Sequence, residues 1–267
     1  MMKKYLLLAI CFLMLITGCG KKSDMDVFNS VIDKSIDDLK IKGKIDVVTV
    51  LKEKEVDVSM NIDTNVTVKN DTVLFASSIE KNTITDNITV YGELESNKLS
   101  LYMPSTVLDS KLGYNNEYSC WIIVDKLINN DISIFKIKKL QEALKKSVRS
   151  EDFTYIDKSG KTSHYKLKVT DNLLTRMYDS IDGIKEEILT EPINFDVYIK
   201  NNKIVKIEAE NIEGIMKFST DEEFKNIKKL SFSLELSDNK ETVEISDDVK
   251  KRALTENAYK RMISINN

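Results

Sequence analysis

A regular alternation of apolar and polar residues between positions 41 and 68 constrains the fold of this chain more than any other feature. Apolar side chains stand at every second position over much of two runs, which contain Ile41, Ile45, Val47, Val56, Val58, Met60, Ile62, Val66 and Val68. Successive side chains of a strand point to opposite faces, so this period of two predicts strands with one buried and one solvated face. Strands of this kind are typical of antiparallel sheets.

Similar strand patterns recur through the rest of the chain, separated by short polar links. They predict strands over residues 73–79, 82–91, 98–103, 118–124, 153–156, 162–169, 194–199, 203–209, 214–219, 229–236 and 241–245. The links include residues 95–97, 157–160 and 200–202, and links this short favour hairpins between neighbouring strands. The sequence therefore predicts an antiparallel meander.

Four segments change to the helical spacing of apolar residues. They cover residues 26–39, 133–148, 171–189 and 247–262. Asp131 or Ser133 is the candidate N-cap of the second helix, and an aspartate is the candidate N-cap of the fourth. Pro192 closes the third helix, because proline cannot continue a helical hydrogen-bond pattern.

These elements together predict an α+β fold that is mainly antiparallel β. A large antiparallel sheet twists and curls, so we expect an open half-barrel with amphipathic helices packed on its concave face. Residues 26–267 are expected to form one domain, since their length lies within the range of single all-β sandwiches and barrels.

The first residues of the chain have the pattern of an export signal. Lys3 and Lys4 precede an apolar run over residues 5–16, which is shorter than the roughly 17–25 residues of a membrane-spanning helix. The run ends at Ile16-Thr17-Gly18-Cys19, which resembles the lipobox of bacterial lipoproteins. That resemblance implies cleavage after Gly18, so that residues 1–18 are the signal peptide, and a diacylglyceryl group on the Cys19 sulfur. The alternative is an ordinary cleaved secretory signal in which Cys19 is incidental.

Residues 19–25 are short and polar, as expected of a tether between a lipid and a folded domain. The lipoprotein interpretation places the protein at the cell membrane, lipid-anchored, on the extracytoplasmic face. Two acyl chains give stable attachment, whereas one chain gives only reversible binding. The scarcity of proline (2) and glycine (8) beside many Lys, Ile and Asn residues is typical of an AT-rich genome of the Gram-positive kind.

Composition argues against several other classes of protein. Lysine plus arginine (40) nearly balances aspartate plus glutamate (43), and the two signs are interspersed, so no nucleic-acid partner is expected. His164 is the sole histidine, and Cys120 is the single cysteine after Cys19, too few for a zinc site. The sequence contains neither a Gly-rich phosphate loop nor a Gly-x-Ser-x-Gly motif. We therefore expect no enzyme, no metal and no cofactor, with Cys120 packing as a small apolar residue.

Two hairpin segments carry a family resemblance. They are Gly160-Lys161-Thr162-Ser163-His164-Tyr165-Lys166-Leu167 and Phe195-Asp196-Val197-Tyr198-Ile199-Lys200-Asn201-Asn202-Lys203-Ile204-Val205-Lys206-Ile207. With the order of an opening helix, hairpins, mid-chain helices and further hairpins, the chain over residues 39–245 resembles the half-barrel lipoprotein carriers of the LolA, LolB and LppX type. The resemblance implies an open barrel that holds acyl chains in an apolar cleft beneath helical lids. It is one of pattern, so it assigns no functional residue.

The candidate cleft follows from apolar residues on the predicted helices and on the sheet that they would cover. Its members are Met60, Ile62, Leu101, Met103, Trp121, Ile122, Leu140, Leu144, Met177 and Ile181. An apolar lining suits an acyl ligand, because each square ångström removed from water contributes roughly 25 cal/mol. The same residues would equally make an ordinary filled core, and the sequence leaves both interpretations open.

The leading functional prediction is a membrane-anchored extracytoplasmic lipoprotein that binds a lipid or another apolar ligand without catalysis. The alternative is a structural or interaction lipoprotein with a filled core that engages another cell-envelope protein. A solute-binding protein of a transporter ranks below both, because such proteins alternate strands and helices in parallel α/β lobes.

Overall fold

The computed structural model describes residues 23–32, 39–51, 54–69, 72–81, 88–95, 98–112, 120–127, 137–180, 191–213 and 226–266. The elements in chain order are α1 (Asp24–Ile32), β1 (Leu39–Leu51), β2 (Lys54–Lys69), β3 (Thr72–Lys81), β4 (Ile88–Glu95), β5 (Lys98–Pro104), α2 (Ser105–Leu112), β6 (Trp121–Leu127), α3 (Ile137–Ser147), β7 (Phe153–Ser159), β8 (Thr162–Val169), α4 (Asp171–Ser180), β9 (Ile193–Lys200), β10 (Lys203–Ala209), β11 (Ile227–Asp238), α5 (Asp247–Arg252), β12 (Leu254–Thr255) and α6 (Glu256–Asn266).

The strands form one large open sheet of 12 strands in the order β12-β6-β5-β4-β3-β2-β1-β11-β10-β9-β8-β7. Most neighbours with an assigned register are antiparallel, and β12 pairs with β6 in parallel. This confirms the prediction of an α+β, mainly antiparallel fold built on a large sheet. In the part of the chain that the structure describes, no helix is long and apolar enough to cross a membrane.

The chain divides into two compact units. Unit 1 consists of residues 1–36, 43–60 and 132–237, and unit 2 consists of residues 37–42, 61–131 and 238–267.

Unit 1 contains the meander β7-β8-β9-β10-β11. The apolar residues of its alternating strands lie on the buried face. Val197 of β9 lies between Tyr165 of β8 and Ile207 of β10, and all three side chains are buried. Helix α1 adds Phe28, whose ring centroid lies 5.1 Å from that of Phe153 in β7. Burial of these large apolar side chains is the main favourable contribution to the stability of unit 1.

Gly43 lets strand β1 approach β11 closely. A Cβ atom at this position would lie 2.7 Å from the carbonyl oxygen of Ser233 and would also clash with Leu234. Glycine has no Cβ, so it is the residue that this close approach requires.

Unit 2 contains the meander β3-β4-β5-β6, and helix α6 packs against β6. Ile122 of β6, Tyr259 and Ile263 of α6 form one buried cluster. Tyr102, Ile245 and Val249 form another. These two clusters form part of the apolar core of unit 2.

Several predicted elements are confirmed with small shifts in their ends. Strands β1, β2, β3, β5, β6, β7, β8, β9, β10 and β11 match predicted strands. Helices α3 and α4 lie within predicted helices, and α1 overlaps its predicted helix but begins at Asp24 and not at residue 26. The predictions also cover residues 33–38, 82–87, 118–119, 131–136, 181–190 and 214–219, which lie outside the described residues.

Three local predictions are wrong. Residue Leu39 opens β1 and does not end the first helix. Residues 241–245 do not form a strand: the side chain of Asn239 accepts a hydrogen bond from the Glu241 N–H at 3.1 Å, and the Val243 N–H donates to Thr67 Oγ1 at 2.9 Å. The Asn239 bond is local, and local side-chain bonds of this kind compete with the strand ladder.

The third wrong prediction is a continuous helix over residues 247–262. The helix begins after an N-cap serine, Ser246, and ends at Arg252, because Ala253 is extended and Leu254 pairs with Ile122 of β6. Helix α2 was not predicted, since its eight residues follow a proline and lack a strong apolar face.

Candidate functional site

The ten residues of the predicted apolar cleft do not all belong to one unit. Unit 2 contains Ile62, Leu101, Met103, Trp121 and Ile122, and unit 1 contains Met60, Leu140, Leu144 and Met177. Leu140 lies in α3, but its side chain is not among those described, and Ile181 lies outside the described residues.

In unit 2, the structure brings Met103 and Ile122 together. Both lie in the cluster that contains Tyr259 and Ile263 of α6, where Ile122 is 1% exposed. Trp121 packs elsewhere, in the cluster of Tyr102, and its ring centroid lies 5.4 Å from that of Tyr91. Cys120 packs against the Ile122 cluster, in the way predicted for a small apolar residue.

In unit 1, Leu144 of α3 and Met177 of α4 are both 0% exposed. The two helices contact each other. Full burial at these positions fits the filled-core interpretation, which the sequence left open beside the ligand cleft.

A second feature of unit 1 was not predicted: a polar groove on the other face of strands β9, β10 and β11. Asp196 and Tyr198 of β9 alternate with the buried Phe195 and Val197, so their side chains point away from the apolar core. Glu208 of β10 pairs in register with Asp196, which places the two carboxylates on the same face.

The groove encloses about 550 Å³. Its lining includes the acidic residues Asp46, Asp196, Glu208 and Glu210, together with Lys44 and the ring of Tyr198. A lining this polar differs from the apolar surface that an acyl chain requires.

His164 of β8 stands beside the groove between two carboxylates. Its Nε2 lies 2.8 Å from Asp196 Oδ1, and its Nδ1 lies 3.6 Å from Asp157 Oδ1. The imidazole stacks on the ring of Tyr198, with centroids 4.6 Å apart and planes 9° apart. His164 therefore has a hydrogen-bonding partner at Nε2 and a nearby carboxylate on the Nδ1 side.

Tyr198 and Glu208 are the centre of a hydrogen-bonded network. Burial of Tyr198 and its hydrogen bond to Glu208 raise the pKa of the phenol to about 12. Burial alone would raise the pKa of Glu208, but hydrogen bonds from Lys206 and Ser233 outweigh that effect and lower it. The Lys206 amine lies 2.7 Å from Glu208, and the Ser233 hydroxyl donates to it at 2.9 Å.

Asp46 is held in a similar way at the β1 side of the groove. The pKa of Asp46 is lowered by a hydrogen bond from Lys44 at 2.7 Å and by a further hydrogen bond from Ser59. Asp46 and Glu208 are therefore negatively charged at neutral pH, and each is paired with a lysine.

Each of the carboxylates Asp46, Asp196 and Glu208 is engaged by a lysine or a histidine, and the phenol of Tyr198 keeps its proton far above neutral pH. Among the described residues, no group of three or more His, Cys, Asp or Glu side chains is arranged to hold a metal ion.

We expect Glu208→Gln to lower the pKa of Tyr198 from about 12 toward its ordinary value of 10. The glutamine removes a negative charge that opposes phenolate formation, while the burial of Tyr198 remains, so the fall is partial. The native phenol has the higher pKa in the folded state, so its stabilising contribution is complete below pH 10 and is lost as pH rises toward 12. The variant should lose less stability over that interval.

The measurement is a pH titration of the tyrosine ring carbons by NMR, with Tyr198→Phe to assign the signal. Glu210→Gln is the matched control, because Glu210 lines the groove but does not contribute to the raised pKa of Tyr198. A pKa of Tyr198 that is the same in Glu208→Gln and in the native protein would contradict the network described here.

No protein-family model matches the chain, and a search of curated proteins finds no match either.

The groove was missed because its parts come from strands that are distant in sequence. Alternation in residues 194–198 predicts that Asn194, Asp196 and Tyr198 share a polar face, and that signal is present in the sequence. The pairing of Glu208 with Ser233, and the position of His164 opposite Tyr198, depend on strand register.

Proposed function

We propose that the protein is a lipid-anchored lipoprotein on the extracytoplasmic face of the cell membrane, and that it acts by binding without catalysis. The observation that carries the proposal is the apolar run over residues 5–16 that ends at Ile16-Thr17-Gly18-Cys19. The start of α1 at Asp24, five residues after Cys19, supports it, because a short tether would span that separation.

The ligand we propose is a lipid or another apolar molecule, held in a half-barrel of the LolA type with helices on its concave face. The support is the large, open, mainly antiparallel sheet accompanied by a few helices.

Native mass spectrometry of residues 23–267, followed by organic extraction, tests the ligand. A stoichiometric acyl lipid that co-purifies would support the carrier role and identify the class of ligand. A protein mass without ligand, unchanged after incubation with membrane lipids, would contradict it.

A second candidate is an interaction lipoprotein with a filled core. The observation that favours it is the full burial of Leu144 and Met177, together with the packing of Ile122 against Tyr259. The same mass measurement separates the candidates, because this role predicts no apolar ligand. Chemical crosslinking in intact cells would then recover an envelope protein with the native chain.

Cys19→Ala is expected to abolish the incorporation of labelled palmitate and to weaken membrane attachment. Without the thiol no diacylglyceryl group can be added, and the polar tether has little affinity of its own for a bilayer. The measurements are the membrane-bound fraction after cell fractionation and the incorporation of labelled palmitate. Cys120→Ala is the control, because Cys120 packs inside unit 2 and should leave both readouts unchanged. Labelled palmitate on Cys19→Ala would contradict the assignment of the lipid site.

A further inference from the structure

The β7-β8 hairpin, residues 153–169, carries an unusual exposed apolar pair at the edge of the sheet. Strand β7 is the last strand in the sheet order, and its residues after Phe153 are all exposed. Tyr155 and Ile156 are each 46% exposed, the large apolar residues with the greatest exposure in the part of the chain described. The register with β8 shifts between Tyr155 and Asp157, so Ile156 is an extra residue in β7 and does not follow the strict alternation of a strand. Exposed apolar side chains at such an edge favour contact with another surface over permanent exposure to water.

The same hairpin is positively charged. It contains Lys158, Lys161, Lys166 and Lys168 against Asp157, a net charge of +3 with His164 neutral. Lys158, Lys161 and Lys168 are exposed. The whole chain has a net charge of −3, so the positive charge of this hairpin is opposite in sign to that of the protein as a whole. A positively charged surface suits an anionic partner.

The position of α1 limits the distance between this hairpin and the lipid proposed at Cys19. The backbone N–H of Tyr155 donates a hydrogen bond to Asp24 Oδ2 at 2.9 Å, and Phe28 of α1 packs on Phe153. Asp24 follows Cys19 by five residues. Five residues of fully extended chain span at most about 18 Å, so the tether keeps the start of β7 close to the membrane surface.

We propose that the β7-β8 hairpin docks on the anionic surface of the membrane to which the chain is anchored. This inference rests on the lipid anchor proposed above. Tyr155 and Ile156 enter the interfacial region, where tyrosine is favoured because its ring is apolar and its hydroxyl stays hydrated. Lys158 and Lys161 lie toward the phosphate groups of the lipids, and this contact falls off within a Debye length. Docking in this way orients unit 1 on the bilayer.

The test uses the mature lipidated protein, reconstituted into vesicles of phosphatidylcholine or of an equal mixture with phosphatidylglycerol. A fluorophore is attached at Ile156→Cys, or at Glu235→Cys as the matched control, each with Cys120→Ser. Glu235 is exposed on β11, and β8, β9 and β10 lie between it and β7. Quenching by lipids with a nitroxide headgroup reports proximity to the bilayer, and flotation of the vesicles reports anchorage.

We expect quenching at position 156 to be several-fold stronger than at position 235 in the anionic vesicles. Lys158→Gln with Lys161→Gln should reduce it several-fold, whereas Lys203→Gln with Lys229→Gln, two exposed lysines outside the hairpin, should not. Salt of about 1 M should also reduce the quenching, as Lys158→Gln with Lys161→Gln does, because it shortens the Debye length to about 3 Å.

The possible failures are distinguishable. Equal quenching at positions 156 and 235, with the protein still floating with the vesicles, overturns the docking and leaves the anchor intact. Loss of flotation by every labelled variant overturns the anchor and the docking together. Strong quenching at position 156 that is the same in neutral and anionic vesicles overturns the role of the lysines.

Discussion

Asp152→Ala is expected to lower the free energy of unfolding by about 2–4 kcal/mol. Asp152 lies between α3 and β7 and is 4% exposed. Its carboxylate accepts a hydrogen bond from the Arg149 N–H at 2.9 Å and forms an ion pair with Arg176. The Nε of Arg176 also donates to the carbonyl oxygen of Ser147 at 2.7 Å, so the guanidinium is fixed in place.

Alanine at position 152 would leave Arg176 beside the core without its negative partner. Removing one member of a largely buried pair is costly, because the remaining charge keeps its desolvation penalty and loses the compensating attraction. Arg176 is partly exposed, with 21% of its side chain accessible, so water recovers some of the loss.

Urea denaturation of the native protein and of the variant measures this loss. Glu151→Ala is the matched control: Glu151 is the neighbouring acid, it is exposed, and its oxygen lies 4.0 Å from Arg149. Exposed pairs of this kind contribute about 0–1 kcal/mol. Equal losses in the two variants would show that the Asp152 pair does not stabilise unit 1.

Strands were the most predictable part of the fold, because their signal is local. In β9 the alternation of Phe195, Val197 and Ile199 with polar residues matches the buried positions in the structure. The strand prediction failed over residues 241–245, where the N–H groups of Glu241 and Val243 donate to the side chains of Asn239 and Thr67 and not to a neighbouring strand. The helix prediction failed at Leu254. The sequence around this residue has helical spacing and no local signal that ends a helix, but Leu254 pairs with β6.

The candidate sites were less predictable, because they depend on which distant residues meet. Ile122 was singled out as apolar, but its partner Tyr259 comes from a helix far along the chain. The polar groove depends on the register that sets Glu208 opposite Asp196. Cys19 is the opposite case, since its proposed role depends only on the residues immediately before it.

Tyr259→Ala is expected to lower the free energy of unfolding by about 3–5 kcal/mol, the usual loss for a large buried aromatic side chain. Tyr259 of α6 is 0% exposed and packs with Ile122 and Ile263 in unit 2. Its hydroxyl donates a hydrogen bond of 2.7 Å to Oδ1 of Asp109, which is also buried. Tyr155→Ala is the control, because that ring is 46% exposed and should cost much less.

Tyr259→Phe separates the hydrogen bond from the packing. The ring remains, but Asp109 loses the donor to Oδ1, and its Oδ2 already has no hydrogen-bond partner among the described residues. Leaving a buried acceptor unsatisfied costs about 1–3 kcal/mol.

A double-mutant cycle tests whether this penalty arises because the Asp109 carboxylate loses its hydrogen-bond donor. Because Asp109→Ala removes the acceptor, Tyr259→Phe should cost less in that background than in the native protein. Thermal or urea unfolding of the native protein, the two single variants and the double variant gives the coupling energy. Strict additivity would mean that the hydroxyl and the carboxylate contribute independently, and that the ring of Tyr259 alone stabilises the contact between α6 and β6.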